Sequence, residues 1–275
     1  MPAVVAPVVV EPAFGAGGVL PAEVKANHRR ALSLAVAASM VPALLVGVVV
    51  ALVVTPLIGL AALVVAWFGA GFLFRHRAPQ VALRRIGAVP LDEHDNQRIY
   101  NVTEGLCATF GLRMPSLHVV FDAVPNACAL GRDPGAADLV VTSGLLELMG
   151  PIELEGVLAH ELAHVKRGDN GISSIAISLA RFGGGGLLKR CIGEGREYRA
   201  DVVGAAAVRF PRGLLDALRL MEQAPPPAGN SVFGPARFGG TRWVWIDPSV
   251  GLHAGPAATG DLNATSVRIA ALSLW

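Results

Sequence analysis

Two kinds of apolar pattern divide the chain. From Ala31 to Val54, "ALSLAVAASMVPALLVGVVVALVV" carries no charge, and after Thr55-Pro56 a second uncharged stretch runs from Leu57 to Phe74. Each approaches the ~20 residues with which a helix crosses the hydrocarbon core of a bilayer. Pro42 is tolerable inside such a span as a kink, because neighbouring groups re-satisfy the freed backbone. The pattern predicts a transmembrane helical hairpin. No ionisable residue lies between Ala31 and Phe74, which argues against a transporter or channel working through side chains of these spans.

Beyond Arg75 the pattern breaks into short periodic segments. Ile99, Val102, Leu106 and Phe110 recur at helical spacing, with Gly111 as a stop. "SLHVVFDA" (116–123) and "DLVVTSG" are rich in β-branched residues and predict strands, with "NACALGRD" as a short edge strand between them. Gly150-Pro151 opens a long helix, proline suiting the first helical position. Residues 171–188 are apolar but broken by Arg181 and four glycines, and predict packing against protein or the membrane surface rather than a third span. Helices follow at 193–210 and in "PRGLLDALRLMEQ", then a Pro/Gly-rich loop, a short extended segment at Trp243–Ile246 and a closing helix in "SVRIAALSLW".

Composition sharpens this picture. The apolar fraction is 53% and the charged fraction 16%, against about 25% charged in a typical soluble domain. The deficit fits a membrane-embedded portion. A net charge of +2, with both signs mixed along the chain, leaves no nucleic-acid footprint. Three cysteines, Cys107, Cys128 and Cys191, form no metal-ligand spacing and fit a reducing compartment. Lys25, Arg29 and Arg30 precede the hairpin, and Arg75, Arg77, Arg84 and Arg85 follow it, whereas its turn is uncharged. The positive-inside rule then sets both ends, and everything after Arg75, in the cytoplasm. The expected organisation is a flexible tail at 1–30, with no positive n-region for a signal peptide, the hairpin at 31–74, a basic juxtamembrane linker at 75–89 and a cytosolic domain at 90–275.

The chemistry is concentrated in "VLAHELAHVKRGDN" (157–170). His160 and His164 stand four apart, so on a helix their Cβ atoms lie about 6 Å apart on one face. Two imidazoles so placed suit zinc, which takes nitrogen and oxygen ligands. Glu161 lies about 100° round the helix, where a carboxylate leans over the site and takes a proton from water that the metal activates. A catalytic zinc needs a third protein ligand. The downstream carboxylates are Glu194, Glu197 and Asp201, of which Glu197 and Asp201 share a helical face. One of these two can bind the metal while the other fixes the tautomer of a ligating imidazole.

Together, "PNACALG", "VTSGLLELM", "LAHELAHVKRGD" and "REYRAD" resemble the HtpX-type membrane zinc endopeptidases, relatives of the CAAX prenyl proteases, in order from about Pro90 to Ala207. The resemblance implies an α+β, zincin-like domain, mostly helical with a small sheet, behind an N-terminal transmembrane hairpin. It puts the zinc glutamate at Glu197 and the following aspartate at Asp201, where it hydrogen-bonds a ligating imidazole. It implies a zinc-activated water with Glu161 as general base, and peptide or protein substrates drawn from membrane-associated or misfolded proteins. The segment Asn126, Ala127, Cys128 and Ala129 is expected to offer an open strand edge that a substrate joins by main-chain hydrogen bonds. The chain departs from the family in its short 171–192 interval and in its end, where Leu262 stands six residues before Arg268 in place of a usual histidine. His253 is the nearest late histidine and a candidate for the oxyanion, against a plain surface-loop role, and Arg268 pairs instead with a carboxylate near the site. A catalytically silent, membrane-anchored metal- or partner-binding module is the competing function, and Glu161 argues against it. The sequence sets no oligomeric state.

Overall fold

The computed structural model describes residues 19, 21–180, 195–229, 231–234, 241–248 and 262–274. Three helices come first: α1 (Pro21–Ala38), α2 (Met40–Val53) and α3 (Pro56–Ile86). The break at Ser39 follows from Pro42, whose missing N–H leaves the carbonyl four residues earlier unpaired. Ser39 Oγ donates to Val36 O at 2.8 Å, and Trp67 Nε1 reaches the same carbonyl from α3 at 2.7 Å. Pro56 begins α3 behind a Thr55 cap, and Gly87, in the left-handed region, ends it. By length and composition, Pro21–Val53 and Pro56–Ile86 are two candidate membrane spans.

These helices outrun the apolar stretches at both ends. The last ten residues of the expected tail, Pro21–Arg30, are the first turns of α1, and most of the expected linker, 75–86, continues α3. The reason is packing. Ala31 and Ala35 of α1, and Ala78, Ala82 and Ile86 of α3, are buried in a shared core with the next domain, so the charged residues beside them ride on helices rather than coil.

That core is one side of a four-stranded sheet. Its strands are β1 (Val89–Pro90), β2 (Ser116–Val120), β3 (Ala127–Asp133) and β4 (Ala136–Thr142), in the order β1-β2-β4-β3. β2 and β4 run parallel, with Leu117 opposite Leu139, and the other two pairs are antiparallel. Side chains alternate across a strand. Cys128, Leu130 and Val140 therefore face α1, α3 and α7 (Asn170–Leu179), whereas Ala127, Ala129, Leu139 and Val141 face the second core. The second core gathers α4 (Gln97–Phe110), α5 (Ser143–Leu148), α6 (Pro151–Arg167), α8 (Arg196–Ala207), α9 (Arg212–Glu222) and α10 (Thr265–Leu272). The protein is thus mostly helical, with a small mixed sheet between two helical layers. The described part of the apolar 171–188 segment is α7, buried against protein rather than laid out as a span.

α6 lies at the centre. Pro151 opens it, and Gly168 closes it at φ 74°, a conformation that side-chain-bearing residues rarely adopt. Nearly every residue from Leu154 to Val165 is buried, polar ones included. A helix buried all round must find a partner for each polar group it carries.

Candidate metal centre

His160, Glu161 and His164 project from the middle of α6, and α8 brings Glu197 in its first turn. Gly204 sets the approach of these helices. A Cβ there would meet His160 N at 2.9 Å and His160 Cα at 3.0 Å, so glycine alone lets α8 lie against the turn that bears the first histidine.

Three donor atoms converge. His160 Nε2 and His164 Nε2 are 3.2 Å apart, and Glu197 Oε2 lies 3.1 Å from the first and 3.4 Å from the second. Ligands of a tetrahedral ion with bonds of 2.0–2.1 Å stand about 3.3 Å apart, so the triangle matches one face of such a site. Each imidazole is fixed from behind. His160 Nδ1 sits 2.8 Å from Asp201 Oδ1, and His164 Nδ1 sits 3.0 Å from Asp169 Oδ2. Asp169 accepts the ring proton at His164 Nδ1, which turns the Nε2 lone pair of that ring toward Glu197, and the Asp201 carboxylate lies close behind the His160 ring. Two lone pairs and a carboxylate oxygen this close repel one another unless a cation sits among them. The donor set therefore fits a divalent metal, and His160, His164 and Glu197 are the group among the described residues that could hold one.

The electrostatics agree. Burial opposes charge on His160, but Asp201 and Glu197 outweigh it and lift its pKa to about 9. Burial likewise opposes the Glu197 carboxylate, yet His164 and Arg196 hold its pKa well below the ordinary value. Asp169 is drawn down to about 2, where His164 and Arg196 overcome burial. Glu161 goes the other way: burial raises its pKa, and the two histidines only partly offset it. Among the described residues, neither carboxylate oxygen of Glu161 has a hydrogen-bond partner.

The carboxylates are themselves held. Arg268, fully buried, makes a two-pronged contact with Asp201 through Nε and Nη2, both at 2.7 Å, and donates from Nη1 to Ile246 O. It thus pairs with a carboxylate, as expected from the sequence. Arg196 Nη1 donates to Glu197 Oε1 at 2.9 Å, which leaves Oε2 for the imidazoles, and its Nη2 reaches Ser173 Oγ at 2.9 Å. The Glu197 backbone N–H donates to Asn263 Oδ1 at 3.1 Å.

Asn126–Ala129 are completely buried, and their edge is already engaged. Ile246 N donates to Ala127 O at 2.9 Å. Asn126 clamps Asp247, donating from Nδ2 to its carbonyl at 3.0 Å and accepting its N–H at 3.2 Å. Further along β3, Ser174 Oγ bonds both Gly131 N and Gly131 O. In this conformation the edge is not open at Asn126 and Ala127, because the chain's own residues 246 and 247 lie along it. His253 and Glu194 fall outside the described residues.

Two members of the network escape a sequence reading. Asp169 follows the second histidine by five residues, and the left-handed turn at Gly168 curls it back, so that Asp169 N bonds His164 O at 3.0 Å. The "GD" after the motif was the available signal. Arg196 had none beyond its place beside Glu197.

This arrangement defines a mostly helical chain with a buried His-His-Glu cluster that could hold a metal ion, behind an apolar hairpin. The family model of "Peptidase family M48" matches residues 93–193, ending just short of Glu197. Among curated relatives, the protease HtpX homolog of Tropheryma whipplei (strain Twist) is 34% identical over 52% of this chain and 62% of its own length. That of Syntrophobacter fumaroxidans is 35% identical over 53% of this chain and 66% of its own. That of Campylobacter hominis is 31% identical over 56% and 67%. The chain belongs to peptidase family M48, on its HtpX-like side. It spans only 62% of the length of the Tropheryma relative. No solved structure matches it.

Proposed function

We propose that the protein is a membrane-anchored zinc endopeptidase, zincin-like in its 90–275 domain, that hydrolyses peptide bonds of membrane-associated or misfolded proteins in quality control or regulated proteolysis. One observation carries this reading: three buried donor atoms face one another at 3.1–3.4 Å while the carboxylate of Glu161 stands beside them without a partner. His160, His164 and Glu197 hold the ion, and two imidazoles with a carboxylate suit zinc. Bound there, the ion supplies Lewis-acid chemistry, polarising the scissile carbonyl and making water acidic near neutral pH. Glu161 accepts the proton of the attacking water and returns it to the leaving amine. Asp201 and Asp169 keep each imidazole in the tautomer that binds. A substrate strand joins the β3 edge between Asn126 and Ala129, which requires residues 246–247 to give way there.

The positive flanks of the hairpin support a multi-pass anchor in the cell membrane, with the peptidase domain on the cytoplasmic side. A reporter fused after Trp275 tests this, and activity only outside the cytoplasm would overturn it.

Burial of all three donors also favours a second reading, a catalytically silent metal-binding module. An unpartnered, buried carboxylate is costly and has no use in a silent site, so the peptidase reading ranks first. The deciding experiment is cleavage of casein or a membrane protein by the detergent-purified full chain, with zinc, with chelator, and as Glu161→Gln. The peptidase reading expects zinc-dependent cleavage that falls about 100- to 10,000-fold in Glu161→Gln while the metal stays bound. Metal binding with no cleavage in any form supports the silent module.

A further inference from the structure

The helix that enters the membrane also reaches into the metal centre. α1 begins ten residues before the apolar run and buries one face, Asn27, Ala31 and Ala35. Asn27 is 5% exposed, and an amide so placed needs partners. Its Nδ2 donates to Asp169 Oδ1 at 2.7 Å and to Arg167 O at 3.0 Å. The other oxygen of Asp169 sits 3.0 Å from His164 Nδ1. A continuous path therefore joins the span to the second imidazole: Asn27, Asp169, His164. Glu23 adds a second tie. Its Oε1 lies 3.1 Å from Arg167 Nη2, and Arg167 Nε lies 3.2 Å from Asp169 Oδ2. Backbone placement agrees, since Val24 packs beside the Gly168 turn that carries Asp169 inward.

We propose that Asn27 is a positioning residue of the metal centre, through which docking of the membrane helix α1 sets the affinity of the site. Asp169 orients His164 only while its own carboxylate is held, and the contact to Oδ1 comes from α1. An anchor displaced along or away from the domain removes the donor at Oδ1, so that Asp169 is held at Oδ2 by Arg167 and Arg196 without its amide partner, and the His164 ring is directed less firmly. Metal occupancy is thereby coupled to the seating of the hairpin. This rests on the reading that His160, His164 and Glu197 bind a divalent ion.

The test uses the full chain in detergent, stripped of metal and titrated with Co2+, following affinity and the visible absorption of the bound ion. The variants are Asn27→Ala, Asn27→Asp and the double exchange Asn27→Asp/Asp169→Asn. Asn27→Ala removes the donor. Asn27→Asp keeps the volume but replaces the donor with a carboxylate against Asp169, so the recovery in the double exchange, which restores a donor across the pair, separates positioning from packing. The positioning role predicts that both single variants lose affinity about 10- to 100-fold, in line with other groups that orient metal ligands, with a shifted spectrum. It predicts partial recovery in the double exchange, where the amide again donates across the pair. Melting of the metal-free variants is followed in parallel. Should Asn27→Ala fold poorly, the recovery from Asn27→Asp to the double exchange decides. Wild-type affinity and spectrum in both single variants would overturn the proposal, as would no recovery in the exchange. Failure of the wild-type chain to bind Co2+ would bring down the metal reading and this inference together, and is seen before any substitution is made.

Discussion

The hairpin and the half that carries the two histidines use the same element, a long helix, under opposite rules. In the hairpin the inward residues are small, Ala43, Gly47, Gly59 and Gly71, while Leu52 is 83% and Leu57 78% exposed. In α6 the inward residues include His160, Glu161, His164 and Arg167. Lipid as solvent gives apolar side chains nothing to gain by burial, so close backbone approach decides the packing there. Gly47 shows it: an added Cβ would collide with Leu63. In the other half, charge is buried at the centre, where Asp169, Glu197 and Asp201 each lie against an arginine, while among the described residues neither oxygen of Glu161 has a hydrogen-bond partner. Burial by itself therefore says little about a helix of this chain. The solvent on one side and the available partners on the other decide what may point inward.

The comparison can be broken at its polar end first. Arg268→Ala leaves Asp201 as a buried charge facing only His160, and removing one member of such a pair costs about 3–5 kcal/mol. Denaturant melts of the full chain in detergent should show that loss, and an unchanged midpoint would mean the buried network contributes nothing. Gly204→Val comes next. Overpacking of this kind costs about 1–3 kcal/mol, and because the wedge falls on His160, bound metal should drop with stability. A third measurement follows pH. The metal-free pKa of His160 is raised from 6.5 to about 9, so its stabilisation is complete below 6.5 and fades as pH rises through about 9. The chelated protein should thus melt lower at pH 9.5 than at 6.5. Metal competes with that same proton, so metal affinity should climb over the interval. At the apolar end, Leu52→Ala should change stability by no more than about 0.5 kcal/mol, as expected of an exposed position free of special contacts. A larger loss would show that its exposed face is covered by protein rather than lipid.

What the sequence made legible was what is local to one helix. The uncharged runs, the i, i+4 pair in "HELAH" and the matching spacing of Glu197 and Asp201 need only helical periodicity. Proximity of the two helices does not follow from spacing; it entered through the resemblance of "REYRAD" to a known pattern. The polar network around the donors joins residues far apart in the chain. Asn27 meets Asp169 across 142 positions and Asn126 meets Asp247 across 121. No period marks such pairs. Asn27 also sits in a stretch whose neighbours, rich in Pro, Ala and Val, read as a tail, because the uncharged run that announces a helix begins only at Ala31. The edge of β3 was misleading for a related reason: "NACA" announces an edge strand, but the segment lying on it comes from beyond a loop.

The central claim is that two imidazoles of α6 and one carboxylate of α8 share a single metal ion. The most direct test is the metal content of the purified full chain, measured for the wild type and for Glu197→Ala after identical loading with zinc and desalting. The account predicts one zinc per wild-type chain and near-complete loss in Glu197→Ala. Equal, stoichiometric zinc in both proteins would contradict it.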